Sequence, residues 1–220
     1  TGPTLDTITQ GRSDEAWGRY VLQLPETVLA KGAAILADSE KFPPLYYLQQ
    51  VESMRPDLSL VTLFNEAQYR EALQKRLSAG QRVYLARYLP GLGEYHVQSA
   101  GPLAEVALPS PSVTAPPHTP EAYFGESLAL IEHEVHLDPQ KRPMHHVNLT
   151  WYTLKPVTED LGIRLQLVAP DGEVVWQVEE TRPVNGYTST QGWPAHYLVN
   201  DYHALTWPDW LPPGTYKLEV

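Results

Sequence analysis

The chain has 220 residues, enough to bury a core in one or two domains, and its 42% hydrophobic and 19% charged residues are those of a folded protein. A formal charge of −10, with no compact Lys/Arg cluster to offset it, argues against nucleic acid and against an anionic membrane surface as partners. The absence of cysteine removes disulfides, thiolate metal sites and cysteine nucleophiles together, and no run approaches the roughly 20 apolar residues that cross a bilayer.

Residues 1–12 are small, polar and unpatterned, and are expected to form an extended lead-in. Ser13 or Asp14 then caps an amphipathic helix whose apolar face is Ala16, Tyr20, Val21 and Leu24, ending at Pro25. Ala33 to Ala37 is a short apolar run without polar alternation, as in a strand covered on both faces. It ends in Asp38, Ser39 and Glu40. Pro43 and Pro44 open a helix over 43–55, with Leu45, Leu48, Val51 and Met54 as its stripe.

Leu58 to Phe64 reads as a second buried strand. Asn65 with Gln68 is a capping-box arrangement, and it opens a helix whose face is Tyr69, Ala72, Leu73 and Leu77, ending at Gly80. Arg82 to Tyr88 reads as a third strand. Strands alternating with helices imply a small three-layer, Rossmann-like α/β domain with a parallel sheet, over residues 1–109. Its strand edges would be exposed, so residues 95–108 are expected to cover one of them.

SPSVTAPPHTP at 110–120 is a linker by composition. Beyond it the period is two: Val147, Leu149 and Trp151 face one way and His146, Asn148 and Thr150 the other, while Ile163, Leu165 and Leu167 repeat the pattern. Asp171-Gly172 turns a hairpin into Glu173–Glu180, and a last strand runs from Thr215. Short alternating strands with no helical segment predict an antiparallel β-sandwich over 121–220, truncated at its C-terminal end. The start at Thr1 without methionine and the stop at Val220 within a strand read as a piece of a larger protein.

Several stretches of the second half, YFGESLALIEHEVHL, LTWYTLKPV, LQLVAPDGEVVW, GWPAHYLVNDYHAL and LPPGTYKLEV, together resemble a particular module. This is the β-sandwich at the C-terminal, extracytoplasmic end of multi-span bacterial membrane proteins similar to the dolichyl-phosphate-mannose protein mannosyltransferases. LPETVLAKGAAILADSEKFPPLYYLQQVESMRPDLSLV is similar to the soluble segment that follows the last membrane span in the same proteins. The resemblance implies a non-catalytic accessory domain on the extracytoplasmic face, partnered by the membrane region of its own parent chain. The catalytic carboxylates of such transferases lie in membrane-region loops, so it implies no catalytic residue and no cofactor here.

Candidate contacts fall in two places. Asp38, Ser39 and Glu40 stand where a strand of an α/β layer ends, the position at which such sheets bind ligands, and could hold a sugar hydroxyl or a cation; equally, they stabilise the following helix. Trp193, His196, Tyr197, Tyr202, His203, Trp207 and Trp210 crowd the end of the chain, where aromatic rings with polar neighbours can stack on sugars or simply cover an open end of the fold. A metal site among His133, Glu134, His136, His145 and His146 is disfavoured, because only Glu134 and His136 share a strand face. No G-x-S-x-G elbow supports a serine hydrolase. Alternatives to the accessory domain are a free-standing carbohydrate-binding protein that uses the aromatic cluster, and a small enzyme acting through Asp38 and Glu40.

Overall fold

The computed structural model describes residues 5–109, 114–137, 145–180, 182–206 and 210–220. The chain forms two compact units, residues 1–110 and 111–220.

In the first unit, helix α1 (Leu5–Gln23) precedes strand β1 (Ala34–Ala37), helix α2 (Phe42–Val51), strand β2 (Ser59–Thr62), helix α3 (Glu66–Ser78) and strands β3 (Val83–Leu85), β4 (His96–Ala100) and β5 (Leu103–Ala107). The sheet order is β2-β1-β3-β5-β4, with β1 parallel to both β2 and β3, and β5 antiparallel to both β3 and β4. The sheet is therefore mixed rather than parallel. The β4–β5 hairpin, turned at Gly101 (φ 57°), covers the outer edge of β3, as the exposed edge requires.

All four residues of β1 are buried, which is why an unbroken apolar run suffices there. Ile35 and Tyr84 share a core with Val21 and Leu22 of α1, Leu45 and Leu48 of α2, and Leu103. Gly18 lets α1 lie close to α2: a Cβ there would stand 3.2 Å from Leu48 Cδ1. Tyr84 carries a polar tip into this core and satisfies it locally, donating to Val28 O (2.9 Å) and accepting from Ala30 N–H (3.1 Å).

Three expectations are corrected. The first helix begins at Leu5, so the polar stretch before Ser13 is helical rather than an extended lead-in. β2 is a half-buried sheet edge, not a buried strand, because β1 is its only neighbour in the sheet. The stripe in α2 stops short: Leu45 and Leu48 are buried, but Val51 is 63% exposed and Met54 lies beyond the helix. Ser53 (φ 56°) and Arg55 (φ 47°) take left-handed backbone, which ends the helix, and polar bonds anchor the connection while Met54, beyond the helix, still packs against the core. Arg55 donates to Leu29 O (3.0 Å), Ala30 O (3.3 Å) and both carboxylate oxygens of Asp57, while Asp57 accepts Gly32 N–H (3.0 Å). The cap of α3 is as expected: Asn65 Oδ1 accepts Gln68 N–H at 3.0 Å, and Gln68 Oε1 accepts Phe64 N–H at 2.9 Å. Tyr69 and Leu73 of α3 are buried apart from the core shared by α1 and α2.

The second unit is antiparallel throughout. Strands β6 (Ala122–Phe124), β7 (Leu128–His136), β8 (His146–Thr153) and β11 (Leu198–Ala204) form one sheet in the order β11-β8-β7-β6, and β9 (Ile163–Val168), β10 (Val174–Glu180) and β12 (Lys217–Glu219) form another in the order β10-β9-β12. A single 3-10 turn, Val184–Gly186, interrupts the strands where no helical segment was expected. Val147, Leu149 and Trp151 are buried, as are Ile163, Leu165 and Leu167. His146 departs from its polar-face assignment: it is 6% exposed, packed between the rings of His136 (4.5 Å) and Tyr202 (4.9 Å).

The guanidinium of Arg55, and after it the Gly32 N–H, hold the Asp57 carboxyl far below the usual carboxylate range. A depressed folded-state pKa contributes stability that is complete above the ordinary carboxylate range of about 4 and is lost as pH falls below it. Urea unfolding should show a flatter pH dependence between about pH 6 and pH 2 for Asp57→Asn than for the unaltered chain. At neutral pH, Arg55→Ala should cost about 2–3 kcal/mol. Parallel pH curves would remove this role from Asp57.

Candidate functional site

The second unit holds a cleft of about 440 Å³, within the range of small-ligand sites of about 300–1,000 Å³. Its construction starts at Trp151, which the alternation of β8 turns inward. Asp201 on neighbouring β11 is 1% exposed and accepts three hydrogen bonds: Trp151 Nε1–H (3.0 Å) and His203 Nε2–H (2.8 Å) on Oδ2, and Val184 N–H (2.7 Å) on Oδ1. A carboxylate this deep persists only where its lone pairs are met by donors. The bonds tie β8, β11 and the 3-10 turn to one another and fix the Trp151 ring in the cleft wall.

The rim is built by two loops zipped together. Thr190, 2% exposed, donates its hydroxyl proton to Glu159 O (2.8 Å) and accepts from Leu161 N–H (2.7 Å). Backbone bonds run from Val157 N–H to Trp193 O and from Gly192 N–H to Val157 O, each 2.9 Å. Asp160 accepts from Ser189 Oγ–H and from Arg182 Nε–H (3.1 Å), and the Ser189 hydroxyl is the chief reason its carboxyl is held below its ordinary value. The cleft is consequently formed before any ligand arrives.

Trp193, 5% exposed, supplies a second aromatic wall, and Phe124 meets Trp151 edge to face at 5.4 Å. The Trp193 indole N–H already donates to Thr188 Oγ1 (3.3 Å), as that of Trp151 does to Asp201. Both rings thus offer the cleft carbon surface only. Polar selection falls to exposed groups of the lining: Glu126, which also pairs with Lys155 Nζ at 2.6 Å, Glu159 and Arg164.

The expected aromatic cluster is not one platform. Alternation along β11 sends His203 inward to Asp201 and Tyr202, 4% exposed, to the opposite face against His146. His196 is exposed on a left-handed backbone (φ 62°), with its Nδ1 2.6 Å from the Tyr152 hydroxyl, and Tyr197 packs on Trp193 at 5.9 Å. Trp210 is 69% exposed, and Trp207 lies outside the described residues. Of the group's described members only Trp193 lines the cleft. Glu126, Glu159, Arg164 and Thr190 carried no sequence signal, because they come from separate places: the turn between β6 and β7, strand β9, and two loops that the Thr190 hydrogen bonds join. Trp151 was legible only as an inward position of a strand.

In the other unit, Asp38 organises the turn into α2: its Oδ1 accepts the N–H groups of Glu40 (3.0 Å) and Lys41 (2.9 Å). Ser39 and Glu40 are exposed beside it. Among the histidines, Glu134 and His136 do share a face and lie 3.1 Å apart, which lowers the Glu134 carboxyl, whereas His133 bonds Glu121. Among the described residues no group of three or more ligands could hold a metal ion, and no helix is long and apolar enough to cross a membrane. No family model, curated protein or solved structure matches the chain.

Removing the Asp201 carboxylate leaves three buried donors facing one another. Asp201→Ala should cost about 3–5 kcal/mol in urea unfolding and erase the near-ultraviolet circular dichroism of the immobilised Trp151. A stable variant with an unchanged spectrum would show that the network does not hold the wall.

Proposed function

We propose that the chain is a non-catalytic, extracytoplasmic accessory module of a membrane glycosyltransferase-like protein, and that the cleft of its second unit receives a neutral glycan. The observation that carries the ligand is the composition of that cleft. Exposed carbon surface from Phe124, backed by the nearly buried rings of Trp151 and Trp193, suits the apolar face of a pyranose ring. Glu126, Glu159 and Arg164 bring both acceptors and donors to its hydroxyls. The two carboxylates and one guanidinium disfavour an anionic ligand. The accessory placement is supported by the sequence stretches that resemble the extracytoplasmic ends of such proteins, with the parent's membrane region as partner.

The finer architecture belongs to the same reading. The two antiparallel sheets form a β-sandwich, supported by a cleft that draws lining from strands of both and by the Trp176 Nε1–H bond from β10 to Thr206 O just past β11 (3.1 Å). The first unit is a Rossmann-like three-layer arrangement, supported by the burial of Tyr69 and Leu73 apart from the core of α1 and α2.

Glycan-array screening followed by calorimetry on the full chain tests the ligand. Glu159→Gln and Arg164→Ala should each weaken a glycan found in this way by about three- to tenfold without shifting the melting temperature, the loss of roughly one net hydrogen bond. If the unaltered protein binds no glycan, this part of the proposal fails. An upstream reading frame without membrane spans would overturn the accessory placement and favour a free-standing carbohydrate-binding protein.

A further inference from the structure

The carboxyl ends of the parallel strands carry a second arrangement that the cleft does not explain. Tyr69 of α3 is 1% exposed, and its hydroxyl has no hydrogen-bond partner among the described residues. Native folds seldom leave such a group unmet, since an unpaired buried hydroxyl costs about 1–3 kcal/mol. Side chains of opposite charge that follow two neighbouring strands act on Tyr69. The Arg87 guanidinium, two residues past β3, lies over the Tyr69 ring at 5.7 Å, and Asp38 is the residue that ends β1. Burial, and next the charge of Asp38, push the phenol up to about 12, whereas the Arg87 guanidinium, by its charge and by an approach to the hydroxyl too loose to count as a formed hydrogen bond, acts in the opposite sense. Asp38 spends Oδ1 on the N–H groups of Glu40 and Lys41, which leaves Oδ2 outside those bonds.

We propose that this crest, formed by Asp38, Tyr69 and Arg87, is a binding site for a hydroxyl group of a neutral polyol or sugar. A hydroxyl can both donate to the Asp38 carboxylate and accept from the Tyr69 phenol or the Arg87 guanidinium, which neither a bare anion nor a bare cation can do. An anion is opposed by Asp38 and Glu40, and a cation by Arg87. Arg87 is the exposed member of the three, and a ligand reaches the phenol only if that guanidinium turns away from the Tyr69 ring. In an open α/β sheet the carboxyl ends of the strands are where ligands gather, and β1, the strand at the centre of this crest, has a parallel neighbour on each side. The site lies in a different unit from the glycan cleft and rests on different observations.

The test is a ¹H–¹⁵N titration of the full chain with glycerol and, separately, with methyl α-D-glucopyranoside, to about 100 mM, which approaches saturation for a dissociation constant of about 10 mM. The expected result is a saturable shift at the amides around residues 38–41 and 86–88, with either ligand and separate from any shift at the lining of the cleft. That shift should weaken at least about fivefold in Tyr69→Phe, which keeps the ring, and in Arg87→Ala, a surface change. Trp193→Phe, in the other unit, should leave it unaltered. Absence of shifts at the crest, shifts spread evenly over the surface, or crest shifts unchanged in Tyr69→Phe would overturn the proposal. If Tyr69→Phe does not fold, unchanged shifts in Arg87→Ala overturn it.

Discussion

The second unit depends on a single buried carboxylate. Asp201 meets an indole, an imidazole and a backbone N–H at once, and these belong to β8, to β11 itself and to the turn at Val184. A charge at that depth is unfavourable unless every lone pair is answered, so its partners have little freedom in orientation. This demand holds Trp151 still and makes a rigid aromatic wall possible at the cleft. Because the Asp201 bonds occupy the indole N–H, they also decide what the wall can offer a ligand: contact area without hydrogen-bond direction.

The first unit solves its connections in a similar way with smaller parts. Arg55 and Asp57 hold the loop between α2 and β2 to the carbonyls of Leu29 and Ala30, and Tyr84 ties the segment before β1 to the sheet beneath it. In both units polar groups fix the loops while apolar burial supplies the mass of the core. The cleft of the second unit, behind its zipped loops, is correspondingly formed in advance. Preorganisation of this kind suits binding, since less ordering remains to oppose association.

How much was legible in the chain follows from the range of each interaction. The fully buried β1, the Asn65–Gln68 cap and the Asp171-Gly172 hairpin depend on neighbours within a few residues, and each stands where the pattern put it. The α2 stripe departs from helical spacing at its end: Val51, in the last position of the helix, is exposed, and Met54 reaches the core only after left-handed backbone at Ser53 has turned the chain. The polar stretch before Ser13 lacked an apolar face to announce the start of α1 at Leu5. Trp193, His196, Tyr202 and His203 looked like one cluster because they are close in sequence; the two-residue period of β11 and the turn before it disperse them.

The amino-acid sequence by itself determined the change from alternating strands and helices to alternating strands, the Pro-rich stretch between them and most strand positions, because these arise from local periodicity and turn chemistry. Tertiary structure alone decided that β4 and β5 would complete a mixed sheet, and that Asp201 would organise Trp151. It also brought Thr190 to join two rim loops and left the buried Tyr69 hydroxyl without a hydrogen-bond partner among the described residues. Those outcomes depend on which buried polar group meets which donor across tens of residues of chain, and no local pattern encodes that pairing.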